Sequence, residues 1–578
     1  MSTANDLPKA LKGSRCIVHI DLDCFYCQVE EVRLGLPRDK PAAVQQWQGL
    51  IAVNYAARRA GITRHCNVQE AKEKCPEINL VHVATFAEND PEPRYYPNPS
   101  RATHKVSLDA YRQASKKIFK IFAKYCSTVQ KIGLDEAFMD ITNAVNEEIA
   151  NRYLNNPDIG DKLEEPTCNV PIDWDSLGVT IESEEEKERK SNNSQSSDET
   201  RWSPTTWQDL QLAVGAEIAK RIRQEIYDEL QYTCSAGIGH NKVIAKLCSS
   251  FNKPNNQTIL RNVATLTFMR DIPFRRIRNL GGKLGSEVED ELGIQKSSDI
   301  WQYSLESLQK KFGDSTGLWI YNIARGIDGE EVIVTKAPKS LMASKSMRPP
   351  VQSAKDMQRW ATILSNELHM RLSLNFDDFG TWPRTLCMHL RSTHDTAYRS
   401  KSCNMLSRGE LRSPDKLTQK VFELLSEIGD PYPCVGLSLQ ATGMMEDESA
   451  KTHDISKFFA PKQPSYRDRE QQQQPSPPTS KPAAQAACSK IGLLAFYSKT
   501  TDANQDAADL WTCPKCLKKF PFLEKDEHND YHFALELQQE ERNGLSFANS
   551  SSPAKRKTGK PLPDSKKPKK NLFFQPRS

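Results

Sequence analysis

Two short acidic motifs, far apart in the chain, limit its fold more than any other feature. The first is Ile20-Asp21-Leu22-Asp23-Cys24-Phe25-Tyr26 and the second is Gly133-Leu134-Asp135-Glu136-Ala137-Phe138. Each puts carboxylates at the end of an apolar, strand-like run. A fold that joins the two runs gathers like charges, and such a cluster is stable around divalent cations. Two metal ions roughly 3.5–4 Å apart are what nucleotidyl transfer needs to activate an attacking oxygen and stabilise a leaving one. In a strand Asp21 and Asp23 point to the same face, so spacing alone nominates both. Asp135 and Glu136 are adjacent and face apart in a regular strand. Both can serve only where a turn or twist re-aims one of them.

The chain has 578 residues, enough for about two to four domains, and its apolar fraction of 38% allows a sizeable core. A net charge of +5 averages an acidic run, Glu182 to Glu188, with a basic tail, Lys555 to Lys570. That contrast suggests nucleic acid as a partner. Met1 to Lys12 lacks the apolar centre of a signal peptide, and no apolar run nears the ~18 residues of a membrane span. The expectation is an intracellular protein with no membrane partner and with its 15 cysteines mostly reduced. Of the two Cys-x-x-Cys pairs, Cys24/Cys27 has no matching His or Cys pair nearby and reads as structural packing. The other is Cys513/Cys516.

Apolar patterning predicts a strand at Cys16–Leu22, a helix from Phe25, a strand pair at Pro41–Val44 and Gly49–Tyr55, and a helix over Lys105–Cys126. Val129–Ile141 reads as a β-hairpin carrying the second motif. From Asn143 to Pro204 the composition turns to Asn, Ser and Glu, which predicts a partly disordered insertion. Helices follow at Trp207–Glu229 and Lys242–Phe251, with a strand at Tyr232–Gly237 between them. Leu280-Gly281-Gly282-Lys283-Leu284-Gly285 is similar to a helix-hairpin-helix turn, whose glycines let backbone amides approach a DNA phosphate. Beyond Thr335, strands at Arg384–Arg391 and Val435–Gln440 and a helix at Ala354–Leu372 form a further α/β unit. After Glu446 a Gln-, Pro- and Ala-rich linker leads to a small island, Cys513–Leu537, and a basic tail.

Several motifs follow one another in fixed order. Asp-Leu-Asp-Cys-Phe-Tyr comes first, then Tyr55-x-x-Arg58, Gly61-Ile62-Thr63-Arg64 and Asp135-Glu136. Cys234-Ser235-Ala236-Gly237-Ile238-Gly239-His240-Asn241-Lys242 and Asn252-Lys253-Pro254-Asn255 complete the series. Over residues 14 to 444 the chain resembles the Y-family translesion DNA polymerases. Gln46-Trp47, Arg58, Arg64, the Leu-Gly-Gly-Lys-Leu-Gly turn and a carboxy-terminal zinc finger narrow the likeness to one branch of that family.

The resemblance implies an α+β multidomain fold, a right-hand polymerase of palm, fingers and thumb with an added little finger, followed by a disordered tail holding a ββα zinc finger. The palm would comprise 14–28 and 84–245, with the insertion at 143–204. The fingers would span 29–83, the thumb 246–334 and the little finger 335–444. A linker at 445–508, the zinc finger at 509–540 and a basic tail at 541–578 complete the chain. Asp21, Asp135 and Glu136 would be the catalytic carboxylates, holding two Mg²⁺ ions with the main-chain carbonyl of Leu22, whereas Asp23 is set aside. Tyr26 would be the steric gate against a ribose 2′-hydroxyl and Phe25 would lie beneath the nucleotide. Tyr55, Arg58 and Lys253 would grip the triphosphate, Arg64 would reach over the incoming base and Gln46 would touch the templating base. The implied activity is DNA-directed synthesis from dNTPs on a primer–template, opposite lesions such as pyrimidine dimers. Gly133-Leu134 stand where the family usually has Ser-Ile. Glycine there could loosen the hairpin under Asp135.

Cys513-x2-Cys516-x11-His528-x3-His532 has the ligands and spacing of a structural Zn²⁺ site. Its helix, Glu527 to Leu537, is acidic and apolar, which suits neither phosphate nor base edges. It resembles a ubiquitin-binding zinc finger, with Asp530 and Ala534 on the docking face. Lys555-Arg556-Lys557 and Lys566-Lys567-Pro568-Lys569-Lys570 are similar to a two-part nuclear import signal, which implies a nuclear location. Ile455-x-x-Phe458-Phe459 and Leu572-Phe573-Phe574 resemble sliding-clamp (PCNA) binding boxes without the usual glutamine. The phenylalanine pairs also suit another translesion polymerase scaffold. The expected partners are therefore DNA, dNTP, ubiquitin or the ubiquitinated clamp, for a chain expected to act as a monomer.

Overall fold

A computed structural model describes residues 7–446, except 89, 155–162, 169, 193–202 and 396, and the backbone of 510–512 and 519–521. At its centre is a six-stranded sheet. Its strands are β1 (Ile17–Leu22), β7 (Val129–Lys131), β8 (Glu136–Asp140), β9 (Val179–Ile181), β10 (Cys234–Gly239) and β11 (Gln257–Leu260), in the order β7-β8-β1-β10-β11-β9. β1 is antiparallel to both β8 and β10, while β11 runs parallel to β10 and to β9. Val18, Ile20 and Leu22 point into one core with α1 (Phe25–Leu34), α4 (Asp109–Tyr125), α5 (Thr142–Ile149) and α8 (Trp207–Leu230). Ile17, His19 and Asp21 take the other face by simple alternation. There Ile17 packs with Phe138 and with Ala245 of α9 (Lys242–Phe251).

Local signals set these helices. The Asn241 side chain accepts from the Ile244 amide at the start of α9, and Thr206 with Asp209 closes a capping box on α8. α1 ends on Gly35 at φ 65°, the left-handed conformation that glycine reaches without strain.

A second cluster holds β2 (Ala42–Gln46), β3 (Gly49–Val53), α2 (Tyr55–Arg59), α3 (Val68–Lys74) and β4 (Asn79–His82), with strand order β3-β2-β4. Between it and α4 run the paired strands β5 (Thr85–Phe86) and β6 (Lys105–Val106), so the expected helix begins at Asp109 rather than Lys105. A third, helical cluster contains α10 (Thr265–Arg270), α11 (Lys283–Leu292), α12 (Leu305–Phe312) and α13 (Asp314–Ile323). The fourth cluster is a sheet of order β12-β16-β14-β15, from β12 (Ser340–Val351), β14 (Thr385–Ser392), β15 (Arg399–Asn404) and β16 (Cys434–Thr442). It is covered by α14 (Ala354–Phe379) and α15 (Pro414–Glu427). α14 outruns the expected Leu372 end, because apolar positions recur to Phe379 and Gly380 supplies the stop. β13 (Thr381–Trp382) pairs with β17 (Met445–Glu446).

The stretch expected as an insertion does more than loop out. After α5 it gives α6 (Trp174–Leu177), then β9, which extends the central sheet, then α7 (Glu184–Asn192). A buried ionic triad holds it there. Arg261, 1% exposed, donates from Nε to Asp209 Oδ1 at 2.9 Å, bonds Glu186 through Nη1, and lies 5.2 Å from the Trp174 ring. The sequence hides this role because Glu186 sits in a run of like charges that reads as a solvated face.

The segment leading from α13 to β12 is stitched to the central sheet. Arg15 donates to the carbonyls of Asp328 and Glu330 at 2.9 and 2.8 Å. Buried Lys242 meets Glu330 Oε1 at 2.5 Å, and Arg278 bonds Glu330 Oε2. The Thr335 amide donates to the Val129 carbonyl at 3.3 Å, and the Lys131 amide donates to Thr335 Oγ1 at 2.7 Å. The β12 sheet also docks beside β5 and β6. Lys105 pairs with Glu367 at 2.6 Å, and Lys345 donates to the carbonyls of Arg101 and His104. Among the described residues, no helix is long and apolar enough to cross a membrane.

Candidate active site

The two acidic motifs meet where β1 and β8 pair. Asp21 stands directly opposite Glu136 in antiparallel register. Asp135 lies just before β8, so strand alternation does not govern it. Its carbonyl accepts from the Leu22 amide at 2.9 Å, which pins the turn against the end of β1. This answers the question the adjacent pair posed: one carboxylate belongs to the strand and the other to the turn. Asp23 has left the strand and is 1% exposed. Its Oδ1 accepts from Ser235 Oγ at 2.8 Å and its Oδ2 from the Asn255 amide at 2.8 Å. Both oxygens are thus held by the protein, Oδ1 by Ser235 and Oδ2 by Asn255.

Cationic side chains crowd the remaining three. Lys253 Nζ lies 2.5 Å from Asp21 Oδ1 and 3.9 Å from Asp23 Oδ1. Lys246 Nζ lies 2.5 Å from Glu136 Oε2. Burial, then the charges of Asp21 and Glu136, push the Asp135 carboxyl up to about 6. Burial also acts on Glu136, but His19 and Lys246 outweigh it and hold that carboxyl down at about 2. Burial first and like-charged neighbours second raise Asp135, a cost that a bound cation would relieve, and an all-oxygen donor set suits Mg²⁺. The residues fit the ion in donor type and charge. Among the described residues no three acidic, His or Cys groups already converge on one point. An added Cβ at Gly133 would come within 3.3 Å of Asp135 Oδ1, so glycine gives that carboxylate room.

Tyr26 opens the wall beside the cluster. Its ring stacks on Tyr111, centroids 4.1 Å apart. The Tyr111 hydroxyl donates to Glu30 Oε1 at 2.8 Å, and so does that of Tyr95. Arg33 closes the group, with Nη2 at 2.7 Å from Glu30 Oε2. Sequence reading missed this support. The available signal was Glu30, one helical turn beyond Tyr26 on a largely buried helix. Phe25 is buried, edge-on to Tyr232 and with its ring centroid 5.7 Å from that of Tyr26.

The remaining predicted residues come from the second cluster. The Asn54 side chain caps α2 and sets Tyr55 and Arg58 on its first turn, where Arg58 lies 4.6 Å from the Tyr55 ring centroid and donates from Nε to the Val53 carbonyl. Burial, then the charge of Asp23, raises the Tyr55 hydroxyl, so this pair sits within electrostatic reach of the first motif. Gln46 ends β2 opposite Gly49, and Arg64 is exposed between α2 and α3. Cys27 is buried, and its thiol donates to the Ala42 carbonyl at 3.8 Å, a packing role as expected. In the third cluster Gly282 caps α11, and Gly285 lies so close to the Leu280 carbonyl that no side chain fits.

Cys513, Cys516, His528, His532, Asp530 and Ala534 lie outside the described residues, as do both phenylalanine motifs and the basic tail. The backbone flanking the two cysteines forms an antiparallel hairpin, β18 (Leu510–Thr512) with β19 (Lys519–Pro521).

Family models described as "impB/mucB/samB family" and "impB/mucB/samB family C-terminal domain" match residues 20–250 and 338–455, together more than half of the chain. Between them "DNApol eta/Rev1, HhH motif" matches 272–327, and "Ubiquitin-Binding Zinc Finger" matches 509–540. The chain belongs to the impB/mucB/samB family, the Y family of DNA polymerases. Within that family its likeness is to the eta type. The DNA polymerase eta of Arabidopsis thaliana is 34% identical over 68% of this chain and 56% of its own length. That of Saccharomyces cerevisiae is 28% identical over 94% of this chain and 90% of its own length. A Schizosaccharomyces pombe protein described as N-acetyltransferase eso1 is 33% identical over 91% of this chain and 62% of its own length. The chain thus spans less than two thirds of the eso1 protein and of the Arabidopsis polymerase.

Proposed function

We propose that this chain is a template-directed DNA polymerase of translesion synthesis. The observation that carries the reading is the register of Asp21 against Glu136, with Asp135 pinned in the turn beside them and Lys253 at hand. Asp21, Asp135, Glu136 and the Leu22 carbonyl would hold two Mg²⁺ ions, which supply activation of the primer 3′-hydroxyl and stabilisation of the pyrophosphate leaving group. Lys253, Tyr55 and Arg58 bind the dNTP triphosphate, where negative charge grows during transfer. Tyr26 excludes the 2′-hydroxyl, Phe25 supports the wall beneath the nucleotide, Gln46 meets the templating base and Arg64 reaches over the incoming base. The α11 turn with its glycines approaches the DNA phosphates.

The same reading extends to the tail. Cys513, Cys516, His528 and His532 bind one structural Zn²⁺, and Asp530 and Ala534 dock ubiquitin. Together with the phenylalanine motifs, the finger brings the enzyme to a ubiquitinated sliding clamp, and the basic tail directs it to the nucleus. The test is primer extension opposite a thymine dimer with Mg²⁺. Wild type should extend, and Asp135→Ala with Glu136→Ala should abolish extension while thermal melting is unchanged. Full activity in that double variant would overturn the assignment.

A further inference from the structure

Behind Glu136 is a polar chain that the nucleotidyl-transfer reading does not use. His19 is fully buried on the Asp21 face of β1. Its Nδ1 lies 2.7 Å from Ser249 Oγ, on α9. Its Nε2 has no hydrogen-bond partner, and Glu136 Oε2 lies 3.5 Å from it. That same oxygen receives Lys246, one turn before Ser249. Gly237 makes the approach possible. It is the register partner of His19, and any side chain there would strike the Ala245 carbonyl and the Ser249 amide.

The hydrogens decide what this chain does. The Ser249 hydroxyl has one proton and two neighbours to give it to, His19 Nδ1 and the Lys246 carbonyl, 2.9 Å away. The Lys246 carbonyl, with two lone pairs, can take the hydroxyl beside its helical amide, so the partner of Ser249 is set by which ring nitrogen of His19 carries the proton. When Ser249 donates to Nδ1, the ring proton sits on Nε2 and points at Glu136 Oε2. Nδ1 meets Ser249 in either tautomer, but only this one gives Nε2 a proton to offer the carboxylate, so that both buried ring nitrogens have a partner.

We propose that His19, set by Ser249, is a positioning residue for Glu136. Together with Lys246 it engages Oε2, so that Oε1 is the oxygen presented to the metal site. The inference rests on the Mg²⁺ assignment above. Partners behind metal ligands commonly change metal affinity by about 10–100-fold when removed.

The test is Mn²⁺ binding to the full chain with primer–template DNA and a non-hydrolysable dNTP, followed by the electron paramagnetic resonance of free Mn²⁺. His19→Leu keeps the apolar packing, and its thermal melting reports folding. It should weaken Mn²⁺ binding by about tenfold, and Ser249→Ala should weaken it less. His19→Gln, whose amide can accept from Ser249 and donate to Glu136, should restore most of the affinity. Unchanged binding in a folded His19→Leu protein overturns the inference and leaves the metal assignment standing. Equal Mn²⁺ binding by wild type and Asp135→Ala overturns both.

Discussion

Tyr26 and Tyr111 stack at 4.1 Å with their planes 19° apart, and Tyr111 is tied at its far end to buried Glu30. A wall that excludes a hydroxyl must not yield, and this one is braced. An aromatic pair contributes about 0.5–1.5 kcal/mol beyond area burial, which converts to at most about a tenfold change in selectivity. Tyr111→Leu should therefore lower the ratio of kcat/KM for dNTP over rNTP by up to about tenfold, with dNTP incorporation little changed. Tyr111→Phe, which keeps the stack, should lower it less.

The two aspartates of the first motif should respond differently to the same change. Asp21→Asn should reduce primer extension by about 10²–10³-fold, as expected for loss of a group that acts on transition-state charge. Asp23→Asn keeps one acceptor and loses one. The cost is about 1–3 kcal/mol of stability in the Lys253 turn, and activity within about tenfold of wild type. Steady-state kinetics and urea melting of the two variants separate these outcomes. Equal activity losses would make both residues ligands.

Arg261→Ala strands two buried carboxylates and should destabilise the protein by about 3–5 kcal/mol. The effect should depend on pH. In wild type, burial raises the Glu186 carboxyl, but the Ser183 and Ser203 amides and Arg261 outweigh it and set it below its ordinary 4.5. Its contribution is present above pH 4.5 and is lost as pH falls through the depressed value. Without Arg261, burial gains weight and the carboxyl titrates higher. The gap between wild type and variant in urea melts should be widest near pH 7 and close in acid.

Asp530→Ala should weaken ubiquitin binding at least tenfold, measured by calorimetry with free ubiquitin, and leave primer extension on naked DNA unchanged. A parallel loss of extension would mean that finger and polymerase body are not independent.

Much of this architecture was legible. Lys242–Phe251 is expected as a helix, and the structure has it with those ends. The candidate site residues were legible as types but not as geometry. Spacing put Asp21 and Asp23 on an equal footing; the resemblance set Asp23 aside, and the turn after Leu22, which sends it to Ser235 and Asn255, is the physical difference that spacing could not show. His19 gave no signal, because a lone histidine in an apolar strand reads as core, and its partner Ser249 lies 230 positions away. Glu186 was lost for the opposite reason, since one buried carboxylate looks like its solvated neighbours. Local patterns report on elements. Pairings made by topology leave no trace in periodicity.

The stitches at Glu330 and Thr335 set a length scale. The last anchor on the central sheet is Thr335, and β12 begins at Ser340, so four residues lie between fixed points. Fully extended, the five steps from Thr335 to Ser340 span about 17 Å. Apart from its side contacts (Lys105 and Lys345, the Lys116–Asp378 pair, Asn366 on the Asp90 carbonyl, and Phe86 in its core), the β12 sheet is held by a leash of that length, hung from the sheet that carries Asp21 and not from the helices that precede it. With those contacts open it cannot drift away, and its recapture is a local search within a few nanometres of Asp21.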